Sequence, residues 1–369
     1  MRVYILLMGV AFAASYLLTP VMRRLGLRVM GSAPLRDRDV HLSPIPKLGG
    51  VAMIAGILAG LLVASRIPFL EGVFSDTDQV LGVVAAAGLI LLIGVADDIW
   101  DLRWYVKFAG QTLVGLTVAF SGVRLEAMPV GWIHISSEPL QIVLTTFLVV
   151  LTMNAINFVD GLDGLAAGMA AIGAAAFFIY CYLLARTINE YDHSNYSALL
   201  MALLLGSCLG FLPHNFNPAK IFMGESGAMI IGLMMAVATI AVTTDLDALE
   251  GFRFRNVPAY MPIILPIAVI LLPMADLVLA IIRRTARGRS PFSADRGHLH
   301  HKLVDGGYSH RQAVLMLYLW SALVAFGTVS FNFFDPNVLI PVLAVLLVGA
   351  AWLTMRPLLR HARGARDAR

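Results

Sequence analysis

Residues 79–101 read QVLGVVAAAGLILLIGVADDIWD. The first eighteen, 79–96, hold no charged side chain, and Asp97, Asp98 and Asp101 follow directly. Crossing a hydrocarbon core takes about 20 apolar residues. The run therefore reads as a spanning helix with three carboxylates at one end. If the helix continues, residues 97 and 101 share a face, as do 98 and 101. Acids so close repel one another unless a cation or a raised pKa relieves them. They could instead be an ordinary solvated helix end with Trp100 as an interfacial anchor. Against that, adjacent acids at a membrane boundary are costly.

The same alternation recurs along all 369 residues. The chain is 59% hydrophobic and only 14% charged, with a mean hydropathy of +0.80. Soluble domains carry about a quarter charged residues, so this composition describes a membrane protein. Apolar runs predict an all-α polytopic bundle of eleven spans, at 3–22, 48–65, 79–96, 107–123, 140–156, 164–185, 197–213, 227–244, 260–282, 312–332 and 338–355. Residues 1–356 are expected to form one integral-membrane domain, and 357–369 a basic tail. The first run could be a signal peptide with Ala11-Phe12-Ala13 as its cleavage site. It continues to Met22 and meets Arg23 and Arg24, which favours a retained helix.

Lys and Arg set the orientation. Of the 27 in the chain, 21 fall in segments 23–47, 97–107, 155–163, 214–226, 283–311 and 356–369. The N-terminus is then outside and the C-terminus cytoplasmic. The net charge of +4 reads as this orientation signal and predicts no nucleic-acid partner. Cys181 and Cys208 lie within spans and form no disulfide framework.

Five polar segments interrupt the spans, and all five fall on the cytoplasmic side. Beyond GVADDIWD (94–101), the second is NAINFVDGLDG (154–164). Asn154, Asn157, Asp160 and Asp163 recur every three residues, which places them on one stripe of a helical turn. Gly161 and Gly164 then let the backbone break and approach a ligand. Such a stripe is expensive unless it faces a polar cavity, although asparagines also pair between helices. The third, IFMGESG (221–227), follows Asn215-Phe216-Asn217-Pro218. Glu225 beside a helix N-terminus can hold a metal with the phosphate it neutralises, or Ser226 can simply cap that helix.

The fourth, DRGHLHHK (295–302), brings His298, His300 and His301 among Arg283, Arg284, Arg287 and Arg289. With no cysteine nearby and no H-E-x-x-H pattern, a phosphate clamp is favoured over a transition metal. The fifth, RDRDVHLSPIPKLGG (36–50), carries Arg36, Arg38, His41 and Lys47 before a stiff turn. It serves topology or a phosphate contact. Asp276 is a further candidate, either in the site or paired with a loop arginine.

Hard carboxylate oxygens without thiols suit magnesium. Basic and imidazole groups suit a polyanion, and no Walker-type loop points to ATP hydrolysis. A site at the junction of cytosol and bilayer implies phosphoryl transfer between a soluble nucleotide derivative and a lipid phosphate. Such chemistry needs alignment and charge neutralisation above all.

In this order, DDIWD, NAINFVDGLDG, NFNPAKIFMGESG and DRGHLHH resemble the polyprenyl-phosphate N-acetylhexosamine-1-phosphate transferases, of the glycosyltransferase 4 type. The resemblance implies transfer of a sugar 1-phosphate from a UDP-N-acetylhexosamine to a polyprenyl phosphate in a bacterial inner membrane, starting a cell-envelope polysaccharide. The H-x-H-H form and eleven spans look like the UDP-N-acetylglucosamine branch; the muramoyl-pentapeptide branch is the alternative. By resemblance, Asp97 or Asp98 would act on the lipid phosphate, and Asp160 and Asp163 belong with them as catalytic acids. Asn154 and Asn157 would line the site. Asn215 and Phe222 would contact uridine, His298, His300 and His301 the diphosphate, and Glu225 with Asp160 a magnesium ion, manganese being the other choice; Lys47, from the residue reading above, is expected among the substrate-binding groups. The family pattern is M-G-D-x-G-S, whereas this chain reads Met223-Gly224-Glu225-Ser226-Gly227-Ala228. Expected partners are the nucleotide sugar, the lipid phosphate, the membrane and a second copy in a homodimer. A transporter, or an inactive scaffold permitted by the Glu225 change, are the rival readings.

Overall fold

The computed structural model describes residues 1–30, 45–128, 133–188, 195–245, 308–331 and 333–367, with isolated positions at 282, 285, 286 and 288. Helix α1 (Arg2–Met30) is followed by α2 (Gly49–Ala64), a short turn of 3-10 helix (Pro68–Leu70) and α3 (Glu71–Phe74). Next come α4 (Thr77–Trp100) and α5 (Trp104–Phe120). A two-rung antiparallel hairpin joins β1 (Ala127–Met128) to β2 (Ile133–His134). The rest is helical: α6 (Glu138–Val159), α7 (Leu165–Ile188), α8 (Tyr196–Asn215), α9 (Gly224–Asp245), α10 (His310–Ser330) and α11 (Pro336–Asp367).

Helix α9 is the axis of the bundle. It packs against α2, α4, α6 and α8, and its span is almost wholly buried. Lipid tails are as apolar as leucine, so helices in a bilayer associate through close packing at small residues. That rule is visible around α9. A Cβ at Gly94 of α4 would lie 2.5 Å from Ser226 Cα, and one at Gly232 of α9 would lie 2.5 Å from Met153 Cα of α6. A Cβ at Gly50 of α2 would overlap the Gly227 backbone. Helix α1 meets α2 and α8 the same way, with Gly56, Gly206 and Gly210 against its main chain.

The outer surface is apolar, as lipid contact requires. Leu17, Leu92, Phe147 and Val345 are each more than 60% exposed. Ends are finished by local chemistry. Asn195 Oδ1 accepts the Ala198 N–H to cap α8, and Ser309 with Gln312 forms a capping box on α10.

Ten of the eleven expected spans coincide with these helices, and the ninth, 260–282, lies outside the described residues apart from Ile282. Among the described residues, eight helices are long and apolar enough to cross a bilayer. Helix α2 brings the count to nine only when joined to Pro68–Phe74 across a 100° bend. Helix α1 overruns its expected end at Met22 because Arg23, Leu25 and Leu27 continue the helix. Helix α11 continues past residue 356 to Asp367, through residues that are mostly good helix formers.

Candidate active site

In their described residues, four of the polar segments sit at the C-terminal ends of α4 and α6 and the N-terminal ends of α2, α5 and α9. Alternating helix direction brings all of these to one end of the bundle. Main-chain bonds join two of them. Phe222 N–H donates to Pro46 O (2.9 Å), Gly49 N–H to Phe222 O (3.0 Å) and Gly50 N–H to Met223 O (2.7 Å). This pairing places exposed Lys47 at the rim, where its charge acts on Asp98, Asp160 and Glu225.

Gly224 opens α9 at φ +71°, a conformation that side chains disfavour. A Cβ there would strike the Lys47 carbonyl and the Asp98 carboxylate. Glu225 N–H donates to Asp98 Oδ1 (2.9 Å) and the Ser226 hydroxyl donates to Asp98 Oδ2 (3.4 Å). Asp98 thus receives donors from the α9 N-terminus, where unpaired N–H groups favour a carboxylate. Ser226, read above as a cap, lies inside the helix, and Asp98 does the capping from α4.

The carboxylates of Asp97, Asp98 and Asp101 part company. Asp97 is buried, accepts the Leu102 N–H (2.8 Å) and pairs with Lys107 Nζ at 2.8 Å. Asp101 terminates α4 in the left-handed region at φ 54°, so it leaves the helical face expected for it. Lys107 also reaches Glu225 Oε1 (3.2 Å), and Asn157 Nδ2 donates to Glu225 Oε2.

The expected stripe from 154 to 163 does not stay on one helix. Helix α6 ends at Val159. Asn154 turns to α5 and donates to Gln111 Oε1 (2.6 Å), while Asn157 faces Glu225. Asp163 Oδ2 accepts from Asn217 Nδ2 (2.9 Å) and Ala219 N–H (3.0 Å), fixing the 217–219 turn. Buried Asn215 accepts the Gly164 N–H (3.0 Å) and donates to Ile221 O (2.9 Å). Both ends of its amide are engaged by main chain, so it shapes the turn. Phe222 is half-buried beside this turn.

Asp160 is half-buried, and among the described residues its carboxylate has no hydrogen bond or ion pair. Burial, then the Glu225 and Asp163 carboxylates, push it up to about 7, against the pull of Lys47. Among the described residues, Lys47 and Lys107 are the cations that act on Asp97, Asp98, Asp160 and Glu225. This excess of hard oxygen donors fits a divalent cation that takes one or two carboxylates and completes its shell with phosphate and water. Among the described residues, no three His, Cys, Asp or Glu converge into a ready-made metal cage. His298, His300, His301, Arg36, Arg38, His41 and Asp276 lie outside the described residues.

Residues 80–243, from α4 through α9, match the model of Glycosyl transferase family 4. The chain is also 43% identical to a decaprenyl-phosphate N-acetylglucosaminephosphotransferase of Mycolicibacterium smegmatis, over 94% of this chain and 86% of that protein. The chain belongs to glycosyl transferase family 4. Similarity extends to a probable undecaprenyl-phosphate N-acetylglucosaminyl 1-phosphate transferase of Bacillus subtilis, 32% identical over 84% of this chain and 81% of that one. An undecaprenyl-phosphate alpha-N-acetylglucosaminyl 1-phosphate transferase of Escherichia coli is 30% identical over 78% and 73%.

Within this family 4 chain, Lys107 and Gln111 are site residues that motif reading passed over. Lys107 was counted only as a topological charge. The available signal was its place on an apolar helix with Gln111 four residues on, one polar face opposite the acids.

Proposed function

We propose that this chain is a UDP-N-acetylglucosamine:polyprenyl-phosphate N-acetylglucosamine-1-phosphate transferase of a bacterial plasma membrane. The observation that carries the reading is the convergence of Asp98, Asp160, Glu225 and Lys47 from four segments at one bundle end. The names of the relatives support the sugar and the lipid. The full chain is read as eleven spans with its N-terminus outside, because most Lys and Arg fall on the side that bears the site. That side is then cytoplasmic, where nucleotide sugar and lipid phosphate meet.

In the reaction, an oxygen of the lipid phosphate bonds to the β-phosphorus of the UDP-sugar. The anhydride bond between the two phosphates breaks and UMP leaves. Magnesium, or manganese in its place, would be held by Glu225 and Asp160 and would supply charge neutralisation at the diphosphate. Lys47 is placed to take a phosphate oxygen from the rim, and the three histidines are proposed as a diphosphate clamp. Asn157 and Lys107 hold Glu225 from two helices. Asp98 keeps the α9 N-terminus in place, and Asp98 or Asp97 is proposed to take the proton of the lipid phosphate or help position it. Both Asp98 oxygens already accept donors from α9, which speaks against Asp98 itself as a phosphorylated intermediate, and direct displacement needs no protein nucleophile.

The test is purified protein with radiolabelled UDP-N-acetylglucosamine, a polyprenyl phosphate and magnesium. Label that extracts with lipid is the expected result, with no UMP exchange into the UDP-sugar when lipid is omitted. Counts trapped only inside sealed vesicles would mean a transporter, and no label in either fraction an inactive scaffold.

A further inference from the structure

The start of α7 is fixed in part from outside every acid motif. Gly164, at φ +80°, gives its N–H to Asn215 on α8. Its carbonyl accepts twice, from Gly168 N–H (3.0 Å) and from the hydroxyl of Tyr318 on α10. The Tyr318 ring lies so close to Gly168 that a Cβ there would overlap it. Helix α10 makes a second tie seven residues earlier, where Arg311 Nε donates to Asn217 O (3.0 Å). Asn217 in turn holds Asp163. Residues 311 and 318 are two turns apart on one face of α10. The acid turn is therefore gripped at two points by a helix that supplies none of its carboxylates.

We propose that Tyr318 is a positioning residue for the turn 160–164, with Arg311 as the second anchor. It acts through the Gly164 peptide, and its proposed effect rests on the transferase reading above. The described turn carries Asp160 and Asp163. In the sequence, His298, His300 and His301 precede α10. One helix then sets the position of the acid turn.

Tyr318→Phe tests this in the full-length protein, because it removes one hydroxyl and keeps the ring. Loss of one hydrogen bond to a positioned turn is expected to raise KM for UDP-N-acetylglucosamine about threefold to tenfold, with kcat held within about twofold. Amides 161–168 should also exchange hydrogen for deuterium faster, and this readout needs no catalysis. A purely structural role would instead lower the unfolding temperature and kcat together, leaving KM alone. Unchanged exchange at 161–168, or unchanged KM, overturns the proposal. If the wild-type chain makes no lipid-linked product, the transferase reading fails by itself, and the exchange measurement still decides whether Tyr318 holds the turn.

Discussion

Glu225 concentrates the chemistry of single residues here. One methylene longer than the aspartate of the family pattern, it spans from α9 to Lys107 on α5 and Asn157 on α6. Replacing its charge but not its shape separates cation binding from packing. Glu225→Gln should lower kcat by about a hundredfold or more with an unchanged unfolding temperature in detergent. Full activity and intact metal dependence would remove Glu225 from the cation site. The presence of acids at 97, 98, 160, 163 and 225 was legible in the sequence, because charge at a span end is costly unless used. Their partners were not. Asp97 pairs with Lys107 and Asp98 with the end of α9, and sequence spacing on one helix says nothing about which neighbour arrives from another. Tyr318 was invisible for the same reason: a tyrosine on an apolar helix reads as packing until its hydroxyl is seen on Gly164.

Helices α4 and α9 show how an element places the site. Gly94 lets the two backbones touch, and that approach is what brings Asp98 within reach of the Glu225 N–H. Gly94→Val should cost about 1–3 kcal/mol by overpacking, seen as a lower unfolding temperature together with lost activity. Gly88→Val, on the same helix with nothing within 4 Å of its Cβ position, should leave both unchanged. Equal behaviour of the two variants would contradict the close-packed α4–α9 contact. At this scale the sequence was informative where apolar runs were long, and ten expected spans have their helix. It was silent on the bend after Ala64, since Pro68 signals a break but not its angle.

The whole molecule is a bundle around α9 with its carboxylates gathered at one end. The apolar belt gives a membrane protein from composition alone. The gathering at one end was expected from span parity, and the described helices bring three of the five polar segments, and residues 45–50 of a fourth, to one end. The central claim is that Asp98, Asp160 and Glu225 line one site open to a single side of the bilayer, the cytoplasmic side. Single cysteines at these positions and at Arg124, at the other end of the bundle, can be labelled with a membrane-impermeant thiol reagent in sealed vesicles of both orientations. Native Cys181 and Cys208 are buried and should add little background. The account predicts that positions 98, 160 and 225 label only in inside-out vesicles and position 124 only in right-side-out ones. Labelling of 98, 160 and 225 from different faces would contradict it.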